Sequence, residues 1–176
     1  MKTTGIVRRI DDLGRIVIPK EIRKNLRITD GENIEIFIDE ENIILKKYSL
    51  LNKIDDYAEK LADVIRVTLK KDVIITDTDR IVSVTGRTKK ACLNEPISAY
   101  LSACIKKREN ICEKKVTTIK LTDNRTVESA FCLSTIIASG DAIGLIILLS
   151  EDGTLSDIDI IACQIVTKFL SKMLED

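Results

Sequence analysis

The sequence predicts two domains: a β-rich N-terminal unit over residues 1–50 and an α+β domain with an antiparallel sheet over residues 71–176, joined by a linking and oligomerisation helix over residues 51–70. Three observations predict this. Short β-branched runs separated by turn residues fill the first fifty positions. From Leu50 the apolar spacing changes to alternating steps of four and three, the helical and coiled-coil period. Beyond Lys70, strand-like runs return, interrupted by two longer helical patterns. A chain of 176 residues suits one large domain or two small ones.

The elements follow in order. Residues 4–10, "TGIVRRI", read as a strand, "DDLG" as a turn, and "RIVI" as a second strand. Pro19 cannot donate a ladder hydrogen bond but suits a first helical turn, so a short helix is expected over about 19–26. "TDGE" turns the chain. In "NIEIFI", Ile34, Ile36 and Ile38 alternate with Asn33, Glu35 and Phe37, a half-buried strand, and "IILKK" returns beside it. The order is β-β-α-β-β. The linking helix carries Leu50, Ile54, Tyr57, Leu61 and Val64 on one stripe, with Leu51, Ala58 and Ile65 on a second.

In the second domain, "DVIIT" and "RIVSVTG" flank the turn "DTD" as a hairpin. "EPISAYLSACIKKREN" reads as a helix capped at Asn94, with Pro96 in its first turn and Ile97, Leu101, Cys104 and Ile105 on one face. Three strands follow, "KVTTIKLT", "ESAFCLSTIIASG" and "AIGLIILLS". A last helix starts at Ser156 and carries the stripe Ile158, Ile161, Ile165, Phe169 and Met173. Strands grouped with helices set apart from them make an α+β domain.

Composition excludes several classes. Apolar content of 44% with 32% charged residues marks a soluble globular chain. The longest apolar run, "AIGLIILL", is far shorter than the roughly 20 residues that span a bilayer, and the N-terminus has no signal-peptide core. A cytoplasmic protein with no membrane partner is expected. Histidine is absent, which removes His-based triads, His-ligated metals and the usual neutral-pH base. The five cysteines show no CxxC spacing and read as buried free thiols. No cofactor, metal or catalytic residue is expected.

The zero net charge conceals a strong asymmetry. Residues 1–29 hold eight Lys or Arg against three Asp or Glu, and residues 30–45 hold six acidic residues and no basic one. On a 100° wheel, Lys20, Arg23, Lys24 and Arg27 share one arc, with Ile22 and Leu26 on the far side. Arg8 and Arg9 end the first strand and Arg15 begins the second. Asp11, Asp12 and Glu21 are too few to pair this block, so an anionic partner is expected rather than a merely solvated face. Duplex DNA fits, through phosphate contacts and arginine reading of guanine edges. About fifty residues rarely build a core alone, and this segment has no cysteine to staple it. An obligate homodimer sharing one core is the economical answer, and its two-fold symmetry suits duplex DNA.

"TGIVRRIDDLGRIVIPKEIRKNLRI…IEIFID…IILKKY" closely resembles the AbrB-type swapped-hairpin DNA-binding domain of bacterial transition-state regulators, over residues 1–50. The resemblance implies an intertwined dimer and a DNA-binding transcriptional regulator on the nucleoid. It extends to sporulation genes, with activation and repression both open. It also implies DNA contacts from Arg8, Arg15, Arg23 and Lys24, where Lys24 replaces the arginine of close relatives and loses the bidentate fork. Together with the basic face, the expected DNA-binding set is Arg8, Arg9, Arg15, Lys20, Arg23, Lys24 and Arg27.

The element order of the second domain resembles a GAF domain, a small-molecule sensor fold. The cyclic-nucleotide pattern of some GAF domains is missing, so the effector is unspecified. Thr76, Ser83, Thr85 and Ser134 are the hydroxyl candidates for a ligand site, set against ordinary strand positions. The linking helix is expected to transmit or stabilise association, as a homodimer or a homotetramer. Two alternatives stand beside the regulator: an antitoxin-like DNA-binding module paired with a toxin, and a thiol-dependent sulfoxide reductase of GAF fold, since all five cysteines lie in the second domain.

Overall fold

In the computed structural model, residues 5–48, 55–86, 89–150 and 152–175 are described. The chain divides into two units, residues 1–48 and 49–176.

In the N-terminal unit, Asp11 to Gly14 form the expected turn, closed by Gly14 N–H donating to the Asp11 carbonyl at 3.0 Å and Asp11 N–H to the Arg15 carbonyl at 3.1 Å. Gly14 takes φ of 78°, which a glycine reaches without steric cost. The flanking segments, Gly5–Ile10 and Arg15–Ile18, belong to no ladder. The two strands expected there are therefore absent from the single chain. A strand needs a neighbour to satisfy its amides and carbonyls, and the described residues place no ladder partner beside Val7–Ile10 and Arg15–Ile18.

Helix α1 (Lys20–Asn25) follows, with Pro19 just outside it. Strands β1 (Ile34–Asp39) and β2 (Asn42–Lys47) pair antiparallel, with Ile36 opposite Leu45 and Ile38 opposite Ile43. Opposed residues share a sheet face, so these four form one apolar surface. The expected half-buried strand is instead open to solvent: Ile38 is 83% exposed, as Val7 is 85% in the first segment. Ile10, Leu13, Ile16, Val17, Ile36 and Ile43 are also exposed. Each would contribute roughly 1.5–3 kcal/mol if fully covered, so the unit presents an unfinished core.

In the C-terminal unit, helix α2 (Asp55–Leu69) leads into strand β3 (Lys71–Thr76), which pairs antiparallel with β4 (Ile81–Val84) as expected. A one-turn helix α3 (Lys89–Cys92) and helix α4 (Ala99–Lys107) precede β5 (Asn110–Thr122), β6 (Arg125–Ala138), β7 (Asp141–Ser150) and helix α5 (Asp157–Met173). The sheet order is β4-β3-β7-β6-β5. Every neighbouring pair is antiparallel.

Helices cover both faces of this sheet. Ala58, Ala62 and Ile65 of α2 and Cys163, Leu170 and Leu174 from the α5 region share a core with Val73, Ile75, Cys132, Ile136, Ile146 and Leu148. On the opposite face, Leu101, Cys104 and Ile105 of α4, with Ile97, pack on Ile74, Phe131, Leu133, Leu145 and Ile147. The α4 face is the one its sequence spacing predicts.

Three details differ from expectation. Helix α4 is capped by Ser98, whose Oγ accepts from Leu101 N–H at 3.2 Å and donates to the Lys120 carbonyl at 2.6 Å. Asn94 sits at φ 64° and Pro96 bridges to Arg80, so the helix starts later than the Asn94 cap predicts. On α5 the expected stripe faces outward: Ile158 is 69% and Ile165 62% exposed, with Ile161 and Phe169 also exposed. The buried side is Asp159, Cys163, Thr167 and Leu170. Small side chains let the helix approach the sheet closely, and the reciprocal Ser156–Asp159 capping box fixes how it enters. On α2, Ala58 and Ile65 are buried, while Tyr57 and Val64 of the other stripe are exposed. Leu50, Leu51 and Ile54 lie outside the described residues.

Candidate nucleic-acid interface

The basic block is built on the turn and α1. Asp11 organises the turn with one carboxylate. Its Oδ1 accepts from the Leu13 N–H at 3.1 Å and the Arg15 N–H at 2.7 Å, and its Oδ2 accepts from Arg15 Nε at 2.7 Å. These bonds, the main-chain one first, hold the Asp11 carboxyl below its ordinary value. Arg15 nonetheless remains 71% exposed at its side chain.

Helix α1 ends in a Schellman motif: Ile28 N–H donates to the Arg23 carbonyl at 2.7 Å and Arg27 N–H to the Lys24 carbonyl at 3.2 Å. Arg27 therefore occupies the left-handed region, at φ 54°, where glycine is usual. Arg23 NH1 donates to Asp30 Oδ1 at 2.7 Å, and its Nε is buried without a hydrogen-bond partner among the described residues. Lys47 Nζ reaches the Arg27 carbonyl at 3.0 Å and Glu32 at 2.6 Å, tying the loop after α1 to β2. Among the described residues, Arg8 donates to its neighbour's carbonyl, Val7, at 3.0 Å.

Arg9, Lys20, Lys24 and Arg27 are exposed and have no ion-pair partner among the described residues. The seven predicted positions thus fall into two kinds. Arg15 and Arg23 are each held by a carboxylate, while most of the others extend freely. Asp30 is the partner that spacing did not indicate, because it lies beyond the turn that follows the helix. Beside this surface lies an apolar cavity of about 480 Å³, lined by residues including Ile6, Ile16, Ile18, Ile22, Leu26 and Leu45. Ile22 is half-buried, but Leu26 is largely exposed, so one chain covers the apolar side of α1 incompletely.

The hydroxyl candidates of the second unit behave differently from one another. Thr76 Oγ1 accepts from Leu145 N–H at 3.2 Å and Thr85 Oγ1 from Val73 N–H at 2.8 Å. Ser134 Oγ donates to Asn110 Oδ1 at 2.6 Å. These three serve the sheet itself. Ser83 Oγ is buried with no partner among the described residues. Four cysteines are buried, and Cys112 is exposed on β5 opposite Cys132 of β6. Burial pushes the Cys104 thiol up to about 11. No helix among the described residues is long and apolar enough to cross a membrane.

Comparison with known proteins follows the division into two units. The family model described as the stage V sporulation protein T C-terminal, transcription factor, matches residues 53–175. Stage V sporulation protein T of Bacillus subtilis (strain 168) is 39% identical over 177 residues, covering 99% of both chains. The chain belongs to the stage V sporulation protein T family. Within this family member, residues 7–50 match the model for antidote-toxin recognition MazE, bacterial antitoxin. The transition state regulatory protein AbrB of the same organism is 58% identical over 48 residues, 27% of this chain and 50% of that relative. The N-terminal unit is AbrB-like. The type II free methionine-R-sulfoxide reductase of Thermoplasma acidophilum matches 72% of this chain and 95% of that one, with a TM-score of 0.56 and 11% identity. That likeness is one of fold alone.

Proposed function

We propose that this family member is a DNA-binding regulator of sporulation genes that acts as an intertwined dimer, with the GAF-like domain modulating it. The observation that carries the reading is the pairing, in one small unit, of an unfinished apolar core with four exposed cations free of ion pairs. A second copy would supply ladder neighbours for Val7–Ile10 and Arg15–Ile18 and cover Ile36, Ile38 and Ile43. It would also double the cationic surface about a two-fold axis. Arg9, Lys20, Lys24 and Arg27 would take phosphates, with Arg8, Arg15 and Arg23 completing the surface.

The larger assembly is a tetramer. Tyr57 and Val64 on α2, and Ile158, Ile161, Ile165 and Phe169 on α5, are apolar residues left open by the sheet, and both helices pack on the same sheet face. Aliphatic stripes at helical spacing suit helix-on-helix packing. An effector, if the GAF-like domain takes one, is a small molecule, with Ser83 the hydroxyl still lacking a partner. We assign the chain no enzymatic role, and its site of action is the nucleoid. The antitoxin alternative has the match over residues 7–50 in its favour, but the described residues beyond 55 form a folded sheet domain rather than a disordered acidic tail.

The test is binding of the full chain to duplexes selected from a random pool. Phosphate neutralisation releases counterions, so affinity should fall steeply with salt and a selected duplex should outcompete a scrambled one. A chain that binds no duplex at low salt would overturn the reading.

A further inference from the structure

Asp11 directs both carboxylate oxygens at Arg15, with Leu13 N–H also donating to Oδ1 at 3.1 Å. Its Oδ1 fixes the Arg15 main chain at 2.7 Å, and its Oδ2 fixes Arg15 Nε at 2.7 Å. Both ends of the turn are therefore locked to the same group that orients the guanidinium. An arginine has five N–H donors in a rigid fork. Here the inner donor is used, while the four N–H bonds of the terminal amino groups have no partner among the described residues, on a side chain 71% exposed.

Arg23 is held in the opposite sense. Asp30 takes NH1, one prong of its terminal fork, and its Nε is buried. The guanine edge offers two acceptors, O6 and N7, that match an intact terminal fork. Arg15 presents that fork and Arg23 does not.

The Asp11 charge also matters. A phosphate approaching Arg15 meets the carboxylate behind it, so the pair adds little to sequence-independent attraction. A base edge carries no net charge and is not repelled in this way. Discrimination against the wrong partner then comes with orientation toward the right one. Because the side chain is already ordered, less rotamer freedom is lost on docking.

We propose that Asp11 is a positioning residue that aims Arg15 at a base edge, making this pair the specificity element of the DNA surface, while Lys20, Lys24 and Arg27 hold phosphates. The inference rests on the DNA-binding reading above. Asp11 touches no base itself and acts through Arg15.

The test uses the full chain, a duplex selected from a random pool, and a scrambled duplex of equal length. Affinity for each is measured by fluorescence anisotropy across a salt series for the parent, Asp11→Asn and Arg15→Lys. Asp11→Asn removes the carboxylate charge, while its amide oxygen can still accept from the turn's main chain. It should bind the scrambled duplex as well as the parent or better. Its preference for the selected duplex should fall roughly 10- to 100-fold, the range of one bidentate base contact. Arg15→Lys keeps the charge and every main-chain bond of the turn but loses the fork. It should lose preference by a similar factor with an unchanged salt slope.

If either variant keeps the parental preference, or loses affinity for both duplexes equally, the proposal is wrong. A parent that binds duplex without preference overturns it as well. A parent that binds no duplex at all defeats the DNA-binding reading itself. Circular dichroism melts accompany the series. Should Asp11→Asn be unfolded at the assay temperature, Asp11→Ser, whose hydroxyl can still accept from the turn's main chain, takes its place with the same expected loss of preference.

Discussion

The double substitution Lys20→Ala/Lys24→Ala should halve the electrostatic part of DNA binding while leaving the fold in place. Both side chains are exposed on α1, neither has an ion-pair partner among the described residues, and alanine favours the helix. Four cations of this kind per chain, Arg9, Lys20, Lys24 and Arg27, give eight in a dimer. At about 0.9 per phosphate, the slope of log affinity against log salt should be about −7 for the parent. With two cations per chain removed it should be about −3.5, from the same relation. Between 50 and 200 mM salt, affinity would then fall about 10⁴-fold for the parent and about 10²-fold for the variant. Fluorescence anisotropy with a labelled duplex at five or six salt concentrations measures both slopes. A variant slope equal to the parental one would refute the assignment of these lysines to phosphates, whatever happened to affinity at one salt concentration.

Further outcomes follow from the second unit. Val64→Glu with Ile165→Glu should convert a tetramer into dimers by sedimentation while leaving duplex affinity per dimer intact, since these side chains serve no buried core in one chain. Ser156→Ala should cost about 1 kcal/mol through loss of the α5 capping box, which a thermal melt would read as a drop of roughly 2–4 °C. Lys71, hydrogen-bonded to Asp152 at 2.8 Å, holds that carboxyl below its ordinary value. The stability it contributes is therefore complete above the unfolded pKa and lost only as pH falls through the lower folded value. The stability deficit of Asp152→Asn should be full above the ordinary carboxylate range and shrink as pH falls below it, giving the variant a shallower acid limb, and parallel limbs for parent and variant would remove the linkage.

Much of this architecture is legible in the sequence, and the failures share a cause. The α4 face is readable because Ile97, Leu101, Cys104 and Ile105 are its dominant apolar residues and all are buried. The α5 face is not, because that helix has two apolar sides. Spacing favours the bulkier one, whereas the sheet takes Cys163, Thr167 and Leu170. The larger stripe is left outside, as a core-facing pattern would be if its core lay in another molecule. The first two N-terminal strands fail in the same way. Their composition is strand-like, but a ladder is a property of two segments, and among the described residues none pairs in a ladder with Val7–Ile10 or Arg15–Ile18.

The DNA surface shows the same limit at the scale of single residues. A helical wheel finds the arc of Lys20, Arg23, Lys24 and Arg27, because side-chain direction follows from the helix period. It does not distinguish a free cation from a held one. That Arg23 answers to Asp30, seven positions away, depends on the turn after the helix. That Asp11 binds Arg15 through both main chain and side chain depends on a turn only five residues long. Charge density is thus visible in sequence, but the division between phosphate holding and base reading is set by local geometry.

The mass of the full chain bound to a selected duplex, read by native mass spectrometry, bears most directly on the proposal that two copies complete the N-terminal core and so create the DNA surface. Two or four chains per duplex, with no complex containing one, is the expected result. A stable complex of a single chain with the duplex would contradict it, because Gly5–Ile18 and the apolar face of β1 and β2 would then function without a second copy.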